Sequence, residues 1–307
     1  TSAATYSADR PISPAAAPQA GPLLQYFGRM PKARSKPSRS KPVLTARTAD
    51  KHAIYEAAVQ NPEAEIDFVD RVYKSLRGKP ATLVREDFCG TAAAACEWVR
   101  RRKTNRAIGL DLDAPTLANG MKRHVSKLES EQQTRVTLLQ RNVLTPGKDA
   151  SNVDAVMAMN FSYWIFRERA LLCEYFRTVR ASLAKGGIFF LDHYGGYESM
   201  QVRPERRRCK GFTYIWDQKK FNPITGEYVC HIHFAFPDGS MIKKAFTYHW
   251  RLWSLPEVID ILKDAGFKSV TAYWEGDDGN GGGNGVFRAA KSAEPCATYI
   301  TYVAATD

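Results

Sequence analysis

The sequence predicts an α/β fold: an open, mostly parallel sheet with helices on both faces, followed by an antiparallel β insertion. Three observations carry this. Short apolar strands alternate with amphipathic helices from Ala81 to Leu191, the pattern of a parallel sheet wound on both sides. A glycine-bearing turn follows the first strand and an acidic residue closes the second, at the carboxyl edge where open sheets bind ligands. Beyond residue 210 the apolar period falls to two, the mark of strands with one face buried.

The elements follow in order. Asp50 caps a helix from Lys51, and Asn61-Pro62 opens a second, whose Ile66, Val69, Val72, Tyr73 and Leu76 recur at helical spacing up to Gly78. Strands are predicted at Ala81–Val84, Ala107–Leu110, Val136–Leu139, Val153–Met159 and Ile188–Leu191. Helices fall at Ala92–Arg102, Ala114–Leu128 and Ala170–Ala184, the last stopped by Gly186-Gly187. Phe212–Trp216, Tyr228–Phe236 and Ile242–Trp250 read as three antiparallel strands, with Asp238-Gly239 a hairpin turn. A helix over Pro256–Ala265 precedes strands Val270–Trp274 and Val286–Arg288, joined by the loop Gly279–Gly285.

Composition narrows the function classes. The 307 residues are 44% hydrophobic and 25% charged, an ordinary globular balance that excludes collagenous, coiled-coil or wholly disordered chains. No run approaches the roughly 18 apolar residues of a membrane span. Six cysteines without CxxC spacing read as reduced thiols in an intracellular compartment, cytoplasm or organelle matrix, and no metal site is expected. The net charge of +12 is concentrated at the front, where residues 1–50 carry eight basic and two acidic groups. Residues 1–47, rich in Ala, Pro, Ser and Arg, read as a disordered basic arm or a transit-like segment; the latter would send the chain to a mitochondrion. Such an arm suits RNA or a ribonucleoprotein. The basic clusters Arg100–Lys103 and Arg203–Lys210 read as solvated faces or phosphate holders.

The first strand runs on into Glu86-Asp87-Phe88-Cys89-Gly90-Thr91-Ala92, and the second ends Gly109-Leu110-Asp111-Leu112-Asp113. Glu86 and Asp111 stand 25 residues apart, close to the spacing that sets a carboxylate against a ribose hydroxyl pair. The loop has a single glycine, Gly90, and so lacks the G-x-G-x-x-G that lets a backbone approach a pyrophosphate. A ligand with ribose and adenine but no phosphate fits better than a dinucleotide.

These motifs resemble those of class I S-adenosylmethionine-dependent methyltransferases, in particular a bacterial-type branch with a Glu-Asp-Phe-Cys-Gly-Thr first motif. Gln140-Arg141-Asn142-Val143, Asp154 to Asn160 and Leu183–Leu191 resemble the adenine segment, the fourth-strand motif and the glycine turn into the fifth strand. The resemblance implies a Rossmann-like, seven-stranded sheet over residues 48–307, with the antiparallel insertion at about 200–252 capping the substrate. It implies S-adenosylmethionine as cofactor and S-adenosylhomocysteine as product. It places Glu86 near the amino acid moiety, Asp111 on the ribose and Asn142 on the adenine amine. Phe88, Cys89, Gly90, Leu112, Val143 and Asn160 line the cofactor, and Tyr55 sits on an N-terminal lid helix. Phe88 and Ala92 stand where many members have glycine, so cofactor approach rests on Gly90.

Methyl transfer requires alignment of nucleophile and methyl, exclusion of water and a free lone pair on the nucleophile. His193 is the candidate base, with packing as its other reading, and Tyr163 the second catalytic candidate. Asn160, Tyr163, His193, Trp216 and Trp253 are the candidate substrate residues. Asn160-Phe161-Ser162-Tyr163 shares its first and last residues with the Asn-Pro-Pro-Tyr motif of nucleic-acid amine methyltransferases. The leading expectation is transfer to N or O of a small molecule. The alternatives are an RNA or protein methyltransferase that uses the arm, and a low-activity scaffold in a ribonucleoprotein.

Overall fold

Asp50 accepts from the amides of His52 and Ala53 and so starts α1 (Lys51–Val59). Asn61 accepts from the Ala64 amide, Pro62 fills the first turn of α2 (Pro62–Arg77), and Gly78 ends it at a left-handed φ of 70°, where a β-carbon is disfavoured. The computed structural model describes residues 44–279 and 282–307. The expected basic arm, up to residue 43, lies outside them, as do residues 280–281 of the glycine-rich loop. Residues 44–47, expected in the arm, instead begin a turn docked on the insertion, where the Ala46 amide donates to Ser240 Oγ.

The alternating stretch forms β1 (Leu83–Asp87), α3 (Ala93–Arg101), β2 (Arg106–Asp111), α4 (Ala114–Arg123), the one-turn α5 (Ser130–Gln133), β3 (Val136–Gln140), β4 (Val153–Ala158), α6 (Arg169–Ser182) and β5 (Leu183–Gly195). Then come β6 (Pro204–Cys209), β7 (Phe212–Phe221), β8 (Glu227–Ala235), β9 (Met241–Arg251), α7 (Leu255–Asp264), β10 (Ser269–Asp277), β11 (Gly283–Ala290) and β12 (Tyr299–Thr306). The main sheet has the order β11-β10-β12-β5-β4-β1-β2-β3, and β6-β7-β8-β9 form a separate antiparallel sheet. Strands β1 to β5 pair in parallel, whereas β12 runs antiparallel to both β5 and β10.

Three expectations need correction. The sheet has eight strands where seven were expected; the extra inner one is β12, inserted between β5 and β10, while the expected closing strand near Val286–Arg288 becomes edge strand β11. The insertion has four strands, because Arg206 to Arg208 lie in β6, the edge strand on β7. Gly186 and Gly187 lie inside β5: Val153 pairs with Leu183 but Ala155 with Ile188, so the glycines sit in a bulge. A β-carbon on Gly187 would lie 2.9 Å from the Leu183 β-carbon, too close for that bulge to form.

Each face of the sheet has its own core. Helices α2 and α3 bury Phe68, Val72 and Trp98 against Met157 and Phe190. Helices α6 and α7 bury Phe176 and Val258 against Phe189, and this core continues into the insertion through Trp164, Tyr194, Trp216 and Phe234. Members of both basic clusters are paired locally: Arg101 with Glu97 and Asp67, Arg102 with Asp70, and Arg203 with Glu198 and Glu205. Among the described helices none is long and apolar enough to cross a membrane.

Candidate active site

The parallel strands bring their carboxyl ends together, and strand alternation decides which side chains meet there. Glu86 turns towards α3, where its Oε2 accepts from the Ala95 amide at 2.9 Å. Its neighbours Arg85 and Asp87 turn the other way, into the α6 core, where Tyr175 donates to Asp87. Loss of hydration pushes the Glu86 carboxyl up to about 8, against the pull of the Ala95 amide. Asp111, at the end of β2, accepts from the Gly90 amide through Oδ2 (2.8 Å) and from the Asp113 amide through Oδ1 (2.9 Å). Asp113 caps α4 by accepting from Thr116.

The turn between β1 and α3 is tightly wound: Phe88, Gly90 and Ala92 have φ of 57°, 53° and 58°. Left-handed φ is unfavourable for Phe88 and Ala92, and such strain persists only where surrounding contacts enforce it. Cys89 supplies one of them, with its amide on the Leu110 carbonyl and its buried side chain against Gly109. Helix α4 supplies another. A β-carbon on Gly120 would stand 2.5 Å from the Thr91 carbonyl oxygen, so the absence of one there lets α4 lie against the loop.

The donor set fits a nucleoside of the kind the resemblance implies. Each Asp111 oxygen holds one amide and keeps a lone pair for a ribose hydroxyl. Leu112, 63% exposed beside it, offers an apolar face for a base. Val143 is buried, and Asn142 folds its Oδ1 back onto the Leu144 amide, which leaves its amide nitrogen outward. Phe88, half-buried, packs its ring on Phe166 and Tyr175.

Glu56 was not singled out in the sequence. From α1 it accepts from Thr91 in the loop (2.6 Å) and from Arg123 (2.8 Å), and shares a 3.0 Å hydrogen bond with His124 at the end of α4. Burial alone would raise its carboxyl, but these three partners outweigh it and hold the group at about 2, against an ordinary 4.5. A depressed carboxyl stabilises the fold above its unfolded value and loses that contribution as pH falls through its folded one. We therefore expect roughly 3 kcal/mol to disappear between pH 4.5 and about 2. Melting curves over that window should show a steeper fall for the native protein than for Glu56→Gln.

Above β4, Asn160 and Phe161 also take left-handed φ, 58° and 55°. Asp192 holds both, accepting from the Asn160 amide at 2.8 Å and the Phe161 amide at 2.9 Å. Next to them α1 and the insertion close an aromatic pocket. Tyr55 and Val59 come from α1, Asn160 and Phe161 from the turn after β4, and Tyr214, Trp216, Ile232, Tyr248 and Trp250 from the four-stranded sheet. The side chains leave about 20 Å³, room for a group the size of a water or a methyl.

The structure brings Tyr55, Asn160 and Trp216 together here, joined by Tyr214 and Ile232, which alternation alone did not single out. His193, Tyr163 and Trp253 do not line this pocket. Tyr163 is fully buried with its hydroxyl 3.0 Å from His193 Nδ1, which leaves its ring no open face for a substrate. Burial drives the His193 imidazole down to about 3. Trp253 donates to the Phe166 carbonyl, with the Arg251 guanidinium over its ring.

No family model and no curated protein matches the sequence. Solved structures do match the fold. An S-adenosylmethionine-dependent methyltransferase from Clostridium acetobutylicum superposes with a TM-score of 0.61 at 14% identity, over 83% of this chain and 97% of that one. The S-adenosylmethionine-bound amino pentose methyltransferase CalS10 from Micromonospora echinaspora gives 0.59 at 17% identity, over 83% and 96%. The sugar N-methyltransferase KedS8 from Streptoalloteichus gives 0.55 at 16% identity, over 91% and 100%. The chain has the Rossmann-like fold of the S-adenosylmethionine-dependent methyltransferases.

Proposed function

We propose that this chain transfers a methyl group from S-adenosylmethionine to a small-molecule acceptor, and that the acceptor atom is an amine nitrogen. The observation that carries this is the aromatic pocket between α1, the turn after β4 and the insertion, with α1 also reaching the loop held by Asp111 through Glu56 and Thr91. The bound cofactor supplies an electrophilic methyl on a sulfonium. Asp111 holds the ribose, Glu86 faces the amino acid end, and Leu112 and Asn142 flank the adenine.

Among the described residues that line the pocket, the only polar side chain besides tyrosine and tryptophan is that of Asn160. An amide takes no proton at neutral pH, so the wall offers no base to ionise an alcohol. A neutral amine needs none, since its lone pair is already free. Asn160 orients the amine through its carboxamide, and the six aromatic rings exclude water. They also favour the ammonium product by roughly 0.5–2 kcal/mol of cation–π attraction. The Clostridium protein, CalS10 and KedS8 lend weight to this reading, two of them being described as methyltransferases of sugars.

The test is calorimetric titration of the full chain with S-adenosylmethionine and S-adenosylhomocysteine, followed by a screen of small amines and matched alcohols. Micromolar cofactor binding with turnover confined to amines is the expected result. Folded protein that binds neither compound would sink the proposal, and turnover of alcohols would sink its amine clause.

A further inference from the structure

A second cavity, of about 320 Å³, lies under the far end of the insertion and shares no wall residue with the aromatic pocket. The end of β5, the β7–β8 turn, the β9–α7 joint and the start of β12 enclose it, with His193, Trp253 and Tyr299 among its walls. His193 is fully buried. Its Nδ1 is taken by Tyr163, and its Nε2 has no hydrogen-bond partner. A buried ring nitrogen without a partner costs on the order of 1–3 kcal/mol, and His193 is one of the residues that line this cavity, a space large enough to hold a partner.

The surrounding chemistry limits what that partner is. The Arg251 guanidinium is engaged by the Arg167 carbonyl, Glu257 and the Trp253 ring. Glu257 is engaged in turn by Arg251 and the Ser254 cap. With both charges matched, the cavity has no free ion to neutralise an anion or a cation, and His193 remains an uncharged imidazole at neutral pH. The indole of Trp253 and the phenol of Tyr299 suit a flat or ring-shaped body. A hydroxyl both donates and accepts, so it satisfies Nε2 in either tautomer.

We propose that this cavity is a second ligand site, separate from the methyl-transfer pocket, that takes a neutral hydroxylated ring with its hydroxyl on His193 Nε2. Trp164 stands between the two spaces, edge-on to His193 on one side and to Trp250 on the other.

Phenol, toluene and benzoate are the probes, added to the full chain without cofactor and followed by histidine ring ¹⁵N shifts and by calorimetry. Phenol is expected to bind saturably with a Kd on the order of 1 mM, at least about tenfold more tightly than toluene or benzoate. Ile224, 93% exposed at the cavity rim, allows a blocking variant that leaves the core alone, and Ile224→Trp should abolish phenol binding. His193→Phe should erase the preference of phenol over toluene. If that variant does not fold, the wild-type preference and Ile224→Trp decide the matter. Equal affinity for phenol and toluene in the native protein, absence of saturation, or phenol binding untouched by Ile224→Trp would each overturn the proposal. None of these readouts depends on methyl transfer.

Discussion

Asp87→Ala is expected to lower the stability of the folded chain by about 3–5 kcal/mol, the usual consequence of leaving one buried charge without its partner. Arg85 and Asp87 sit two apart on β1, on the same face, and both side chains are fully buried. Arg85 Nε and Nη2 reach the two Asp87 oxygens at 2.8 and 3.1 Å, and Nη1 donates to the Ala150 carbonyl. Tyr175 completes the set with a 2.9 Å hydrogen bond to Asp87. Burial pushes the Asp87 carboxyl up, with Arg85 and Tyr175 pulling the other way. Removal of Asp87 strands the guanidinium in the α6 core. Urea denaturation should show the full loss, and a double variant, Arg85→Met with Asp87→Leu, should recover most of it. A single variant as stable as the native protein would mean that the pair is not buried as described.

Asp111→Ala is expected to weaken S-adenosylhomocysteine binding by about a hundredfold or more, since two hydrogen bonds to a charged acceptor are each worth about 1.5–3 kcal/mol. Asp111→Asn, which keeps one acceptor oxygen, should fall between the two. Because Asp111 also ties down the amides of Gly90 and Asp113, the alanine variant should melt lower as well. Calorimetry separates the effects: a stability loss alone leaves the affinity of the folded fraction unchanged. Unaltered affinity in Asp111→Ala would remove the residue from the cofactor site.

The parts of this fold that depend on local chemistry were legible in the sequence. Asp50, Asn61-Pro62 and Asp113 announce helix starts because their side chains bond to the next turn, whatever the rest of the chain does. The alternation through Leu191 announces the parallel strands for the same reason. Strand β12 was missed because its partners, β5 and β10, are distant in sequence, and nothing in the stretch before Tyr299 marks it. Strand β6 was hidden by its arginines, which an edge strand tolerates.

The candidate site divides along the same line. Asp111 and Gly90 could be placed from spacing, and they do meet. His193 could not: a period of two says that Asp192 and His193 face opposite ways, but not which of them faces the aromatic pocket. In the structure His193 turns to Tyr163 and Trp164, while Asp192 holds the amides of Asn160 and Phe161, which do line the pocket. Glu56 was invisible because its partners Thr91, Arg123 and His124 are brought to it only by the tertiary fold.

The chain leaves the main sheet at Gly195 and rejoins it at α7, and both junctions border one cavity. The insertion is thus attached like a bracket, with its two feet side by side. Asp111, Gly90 and Asn142 all precede those feet in the sequence, whereas Tyr214, Trp216, Ile232, Tyr248 and Trp250 lie between them. On the proposed function, the residues assigned to the donor all precede the insertion, whereas the acceptor pocket is shared: Tyr55, Val59, Asn160 and Phe161 come from before it and the other five from within it. Under that reading, exchange of the bracket would renew five of the nine pocket walls and leave the strand ends around Asp111 and Gly90 as they are.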